Sequence, residues 1–155
     1  MRPMTRAGIV EVMRISTASS GGASPTRVII IDDHEITRAA YTALLRAEGT
    51  DVIADLRASG RALTAARIHR PDVAIIDVTP AADAGFGIAH RLCALPVPPI
   101  VILTSSSDRT LFGAQLDGYL FIAKADICAA AITRLARAQR YDSKSGDLGD
   151  LHRYA

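Results

Sequence analysis

The fold is decided by Arg27-Val28-Ile29-Ile30-Ile31-Asp32-Asp33-His34. Four consecutive β-branched apolar residues, Val28 to Ile31, are apolar on both faces of an extended chain, so the run predicts a strand covered on both sides, as in a parallel sheet between helices. The strand ends on two adjacent carboxylates, Asp32 and Asp33. In an open parallel sheet the ligand crevice lies outside the carboxyl ends of the strands, so an acidic pair there is placed to hold a cation. Capping the helix that follows is the plainer role for these residues, but one Asp would suffice for it.

Downstream, Ile36, Ala39, Ala40, Ala43, Leu44 and Ala47 recur at helical spacing before Gly49, predicting a helix over 35–48 with these residues inward. Thr50–Leu56 follows as a strand. Ser59 is placed to cap a helix carrying Leu63, Ala66 and Ile68, which must end before Pro71. Asp72–Val78 is a third buried strand, ending on Asp77. After a Pro/Ala/Gly loop and a short helix near Phe86–Cys93, Ile100–Leu103 is a fourth strand, running into Thr104 and Ser105. Ser106–Leu116 has the weakest helical pattern and contains Gly113. Tyr119–Ala123 is a fifth strand, followed by Lys124. Asp126 is placed to cap a last helix with Ile127, Ala130, Ala131, Arg134, Leu135 and Ala138 on one face.

Five strands alternating with five helices predict an α/β, doubly wound, five-stranded parallel sheet over residues 26–140, with all carboxyl ends on one edge. Residues 1–25, rich in Arg, Ser, Thr and Gly, have the composition of a disordered extension, and 141–155 that of a flexible polar tail. Ile9, Val10, Val12 and Met13 suit a short helix or a docking segment, and initiation at Met13 is an equal alternative.

A length of 155 residues, with 49% apolar and few aromatic side chains, fits one domain of alanine-rich helices on Val/Ile strands. The net charge of +2 is small and scattered, giving no footprint for direct DNA binding. The basic side formed by Arg134, Arg137 and Arg140 reads as a solvated face or a homodimer contact. No apolar run approaches the ~20 residues that span a bilayer, and the basic N-terminus lacks a secretory apolar core. Cys93 and Cys128 have no metal-ligand spacing and read as small buried hydrophobes in a reducing compartment. These features together predict a cytoplasmic protein. His69, His90 and His152 have no partners at ligand spacing, and His34 reads as an exposed loop residue because Mg²⁺ does not favour imidazole.

At the shared edge stand Asp32, Asp33, Asp77, Thr104 and Lys124. Carboxylates converging on one point need a cation, and Mg²⁺ suits oxygen ligands with positions left open for phosphate oxygens. Asp77 is then an approachable nucleophile for phosphorus, with Mg²⁺, Lys124 and Thr104 spreading the charge of the transferring group.

Arg27–Gly49, and then Arg70-Pro71-Asp72-Val73-Ala74-Ile75-Ile76-Asp77-Val78, resemble the opening and the phosphoacceptor segment of response-regulator receiver domains of two-component signalling, of the type usually found with helix-turn-helix output domains. The resemblance spans 26–138. It implies the flavodoxin-like receiver fold, phosphorylation of Asp77 by a sensor histidine kinase or phosphotransfer protein, and output through a downstream protein target. It further implies direct Mg²⁺ ligation by Asp33 and Asp77, ligation through water by Asp32, and a fourth ligand in the Thr79 carbonyl. Thr104 would be the switch hydroxyl, with Ser105 beside it. Lys124 would be the phosphate partner, and the Thr79 and Ser106 side chains would tune the lifetime of the phosphoryl group.

The chain departs from that pattern in several places. Pro80 lies three residues after Asp77 where the family usually has four, Asp83 falls one short of the usual acidic or amide position, and Gly85 fits. The intervals to Thr104 and Lys124 are short. Tyr119 and Phe121 both remain candidates for the aromatic switch, and Ala125 stands where proline often follows the lysine. A stand-alone or truncated receiver accepting phosphate on Asp77, with no enzymatic turnover beyond its own phosphorylation and dephosphorylation, is the leading expectation. A phosphorylation-independent interaction module and an aspartate-nucleophile phosphohydrolase are the alternatives.

Overall fold

A computed structural model describes residues 24–146. Residues 1–23 and 147–155, which include most of the expected extension and tail, lie outside them. Strands β1 (Arg27–Ile31), β2 (Asp51–Leu56), β3 (Val73–Asp77), β4 (Ile100–Ser105) and β5 (Leu120–Ala123) form one parallel sheet in the order β2-β1-β3-β4-β5. Helices α1 (Glu35–Ala47), α2 (Gly60–His69), α3 (Ala84–Cys93) and α4 (Ala129–Gly146) cover its two faces. The strand order reverses between β1 and β3, so a crevice opens at their carboxyl ends, where Asp32, Asp33 and Asp77 stand.

Alternation along each strand builds the two cores. Ile29, Ile31, Ala74, Ile76 and Leu103 pack with α2 and α3, whereas Val28, Ile30, Val73, Ile75 and Ile102 pack on the face of α1 and α4. All ten are buried. Burial of each Val, Ile or Leu contributes about 1.5–3 kcal/mol, so the central strands are the most firmly held part of the domain and a rigid base for the residues at their ends.

Several local expectations change. The inward face of α1 is Thr42 and Leu45, flanked by the partly covered Arg38 and Tyr41, while Ile36 (78% exposed) and Leu44 face outward. In α2, Ile68 likewise points to solvent. The fourth crossover is a 3₁₀ segment, Arg109–Leu116, instead of an α-helix. Gly113, with φ +52 and ψ −130, breaks it in two, and Phe112 and Leu116 anchor the halves in the core. Finally, Asp126 sits in a 3₁₀ turn, Lys124–Asp126, and does not cap α4. The Ala129 N–H instead donates to Glu48 Oε2 at the end of α1 (2.6 Å), and the helix runs to Gly146, past Tyr141. On α4 the buried residues are Ala131, Ile132 and Ala136, with Leu135 partly buried, whereas Ala130, Arg134 and Ala138 face solvent. Arg140 on its basic side bonds Asp72 (3.3 Å).

Neither cysteine is fully buried: Cys93 is exposed and Cys128 intermediate. Among the described residues no helix is long and apolar enough to cross a membrane.

Gly85, the second residue of α3, lies against the end of β3, where an added Cβ would overlap the Asp77 carbonyl oxygen and press on Val78. Gly87, two residues along, faces open space. Gly85→Ala is expected to lower the unfolding free energy by about 1–3 kcal/mol in urea denaturation, and Gly87→Ala to leave it unchanged or raised. Equal responses would contradict the close approach of α3 to the end of β3.

Candidate functional site

Three strand ends and one turn converge on a charged cluster. Asp32 follows β1, Asp77 closes β3, Thr104 is the register partner of Asp77 on β4, and Lys124 follows β5. The Lys124 ammonium lies 2.9 Å from Asp32 Oδ2 and 2.9 Å from Asp77 Oδ1, so one cation is shared by two carboxylates. Asp32 is 3% exposed, and its other oxygen accepts the His34 N–H at 2.7 Å. Isolated buried carboxylates are strongly disfavoured; here the charge is held by an ammonium and a backbone donor.

Asp33 points away from this cluster. Its Oδ1 accepts the Ala58 N–H at 2.8 Å and lies 3.9 Å from Arg57 Nε, with more than half of the side chain exposed. Asp33, Asp77, Thr79 and Gly85 nevertheless line one small concavity of about 120 Å³. The Thr79 carbonyl accepts a long bond from the Ala82 N–H (3.3 Å). Thr104 Oγ1 is buried and has no hydrogen-bond partner among the described residues, although its backbone carbonyl accepts the Val78 N–H. A buried hydroxyl without a partner costs roughly 1–3 kcal/mol, which an acceptor oxygen brought to it would offset.

Burial pushes the Asp77 carboxyl above the ordinary range, with the negative charges of Asp32 and Asp33 adding to it and Lys124 opposing. Burial alone would lower the Lys124 pKa, but its bonds to Asp77 and Asp32 outweigh that and raise it. The ammonium is therefore a fixed positive charge at neutral pH.

The expected metal ligands fit a hard divalent cation in chemistry. Three carboxylates and one ammonium leave two negative charges, and every donor is oxygen. As placed, no group of three or more His, Cys, Asp or Glu side chains is arranged to hold an ion among the described residues. Lys124 occupies Asp32 and Asp77, and Asp33 is turned to the β2–α2 loop. Asp33 is the exposed member of the set and the one that would swing inward.

Of the aromatic candidates, Phe121 shares a groove with Ser105 and Lys124, stacks near Phe112 (centroids 6.0 Å) and lies under Arg109 (5.6 Å). Tyr119 is at the opposite end of β5, beside Cys93 and Gly118. Ser106 lines the groove of Phe121.

Periodicity missed Arg38 and Tyr41 of α1 and Glu48 at its C-cap. Arg38 donates from Nη1 to the Asp32 carbonyl (2.7 Å) and from Nε to Asp55 (3.3 Å), and the Tyr41 hydroxyl donates to the Lys124 carbonyl (2.9 Å). Burial raises the Tyr41 pKa, so the phenol stays protonated and a donor. With Glu48 they form a stripe at positions 38, 41, 45 and 48, spaced as one helical face. The only signal was polar residues at helical spacing, which a search for apolar periodicity passes over.

The sequence profile of the response regulator receiver domain matches residues 28–135. The chain belongs to this family. The receiver is 32% identical over 95 residues to the transcriptional regulatory protein PdtaR of Mycobacterium tuberculosis, covering 61% of this chain and 46% of that protein. It is 29% identical over 133 residues to the DNA-binding response regulator MtrA of Mycolicibacterium smegmatis, covering 81% and 57%. It therefore spans about half the length of these curated relatives. Among solved structures, the receiver domain of the putative response regulator NarL from M. tuberculosis superposes with a TM-score of 0.61 at 26% identity, covering 74% of this chain and 98% of that one. A CheY-like receiver from Methylobacillus flagellatus, at 22% identity and TM-score 0.58, with coverage of 74% and 98%, shares the fold.

An acid whose pKa is raised by folding is charged at a cost in the native state, so its destabilising contribution grows as pH rises through its native pKa. At pH 7, Asp77→Asn is expected to match or exceed the wild-type receiver in urea midpoint. Lys124→Met, which strands Asp32, should lower the unfolding free energy by about 3 kcal/mol. The reverse order in denaturation would contradict the shared-cation arrangement.

Proposed function

We propose that this receiver accepts a phosphoryl group on Asp77 from the phosphohistidine of a sensor histidine kinase or phosphotransfer protein, with Mg²⁺, and signals through protein–protein contacts. The observation that carries this reading is the Lys124 ammonium held between Asp32 and Asp77, with the buried hydroxyl of Thr104, the register partner of Asp77, lacking a hydrogen-bond partner among the described residues. An Asp77 carboxylate oxygen bonds to phosphorus as the P–N bond of the phosphohistidine breaks, and the imidazole leaves with the bonding pair. Lys124 stabilises the negative charge gathering on the phosphoryl oxygens, and the Thr104 hydroxyl donates to one of them. Asp33, Asp77, the Thr79 carbonyl and, through water, Asp32 would hold Mg²⁺. Bound there, it supplies further neutralisation of the phosphoryl oxygens.

Phe121, which lines a groove with Ser105 and Lys124, is the aromatic placed to respond, whereas Tyr119 lies at the opposite end of β5. The Thr79 and Ser106 side chains would set how readily water reaches the phosphoryl group. Support for protein contacts comes from α1, whose Ile36 lies exposed one residue from its start and three from Asp33.

Incubation with acetyl phosphate and Mg²⁺ is expected to add one phosphoryl group per chain, labile to hydroxylamine. Asp77→Asn or chelation with EDTA should abolish it. A folded protein that takes no label, or an Asp77→Asn variant that keeps it, would overturn the mechanism and leave a phosphorylation-independent interaction module.

A further inference from the structure

Lys124 carries the site, yet its own backbone is in a short irregular turn. It starts the 3₁₀ turn Lys124–Asp126, whose closing bond from the Ile127 N–H to the Lys124 carbonyl is long (3.4 Å). The stronger bond to that carbonyl comes from outside the turn, from the Tyr41 hydroxyl at 2.9 Å across 83 residues of sequence. One turn of α1 earlier, Arg38 holds the Asp32 carbonyl at 2.7 Å, and two turns later Glu48 takes the Ala129 N–H at 2.6 Å. Leu45, fully buried, seats the same stripe on the sheet.

We infer that Tyr41 is a positioning residue for Lys124: through the Lys124 backbone carbonyl it sets the height at which the ammonium meets Asp32 and Asp77, and the inner stripe of α1 thereby holds both the acidic and the basic half of the site. The geometry makes this specific. A lysine side chain has four rotatable bonds, so its head reaches two carboxylates at 2.9 Å only if its root is fixed, and the β5–α4 connection offers little else to fix it. Tyr41 lies in the apolar cluster of α1 and α4 by its ring, with only the hydroxyl directed to the turn. Loss of that hydroxyl therefore leaves the packing in place.

The kinetic consequence rests on the phosphoacceptor function proposed above; the structural one does not. Tyr41→Phe should lower the maximal rate of Asp77 phosphorylation by acetyl phosphate about five- to tenfold, corresponding to one hydrogen bond of about 1 kcal/mol or slightly more, with half-saturation unchanged. In a Lys124→Arg background the same substitution should add little, because a residue acting through Lys124 has no separate route. Wild-type rates in Tyr41→Phe, or the same fold loss in both backgrounds, would overturn the inference.

A second readout needs no phosphorylation. The chain has two lysines, Lys124 and Lys144, so the side-chain ammonium signal of Lys124 is assigned in NMR by its disappearance in Lys124→Arg. Tyr41→Phe should shift that signal and speed its exchange with water. If the wild-type protein takes no label, the phosphoacceptor function fails and this signal alone decides the positioning role. An unmoved signal would overturn it.

Discussion

The site depends on one ammonium held between two carboxylates that the sheet brings together. Asp32 and Asp77 come from adjacent parallel strands and are separated in sequence by three elements, so their approach is imposed by the pairing of β1 with β3. Two such charges would force the strand ends apart or one of them to protonate. Lys124 resolves this from the end of β5, two strands from β3 and three from β1, and ties the far edge of the sheet to its centre. Sixteen of the eighteen basic residues are arginines, yet a lysine stands here. A compact ammonium can bridge two oxygens and turn toward a third, whereas a planar guanidinium is committed to its fork.

The strands were legible because each is a short β-branched run with polar residues at its end. The placement of polar residues at the edge was legible for the same reason: in a parallel sheet every strand delivers its last residue to one edge, so Asp32, Asp33, Asp77, Thr104 and Lys124 share it on a linear reading. What escaped the sequence was orientation. Asp33 belongs to the acidic pair but takes the Ala58 N–H, a contact across the β2–α2 loop that nothing local announces.

The inner face of α1 was misread for a related reason. Apolar periodicity placed Ile36, Ala40 and Leu44 inward, whereas the buried stripe carries Arg38, Tyr41 and Thr42. Two of these are long side chains whose stems pack while their heads bond backbone carbonyls of the site. A helix next to a polar cluster can thus be amphipathic in the sense opposite to its apolar pattern, leaving an apolar stripe for solvent or a partner. The fourth crossover shows the complementary limit: Gly113 and the short span between Ser106 and Tyr119 signalled a poor helix, and the chain keeps only the anchors Phe112 and Leu116.

The shared ammonium is tested most directly by charge deletion in pairs, measured as unfolding free energy in urea at neutral pH without metal. If Lys124 is the counter-charge of buried Asp32, the double variant Asp32→Asn with Lys124→Met should recover most of the stability lost by Lys124→Met alone, to within about 1 kcal/mol of wild type. Simple addition of the two single losses would contradict the account.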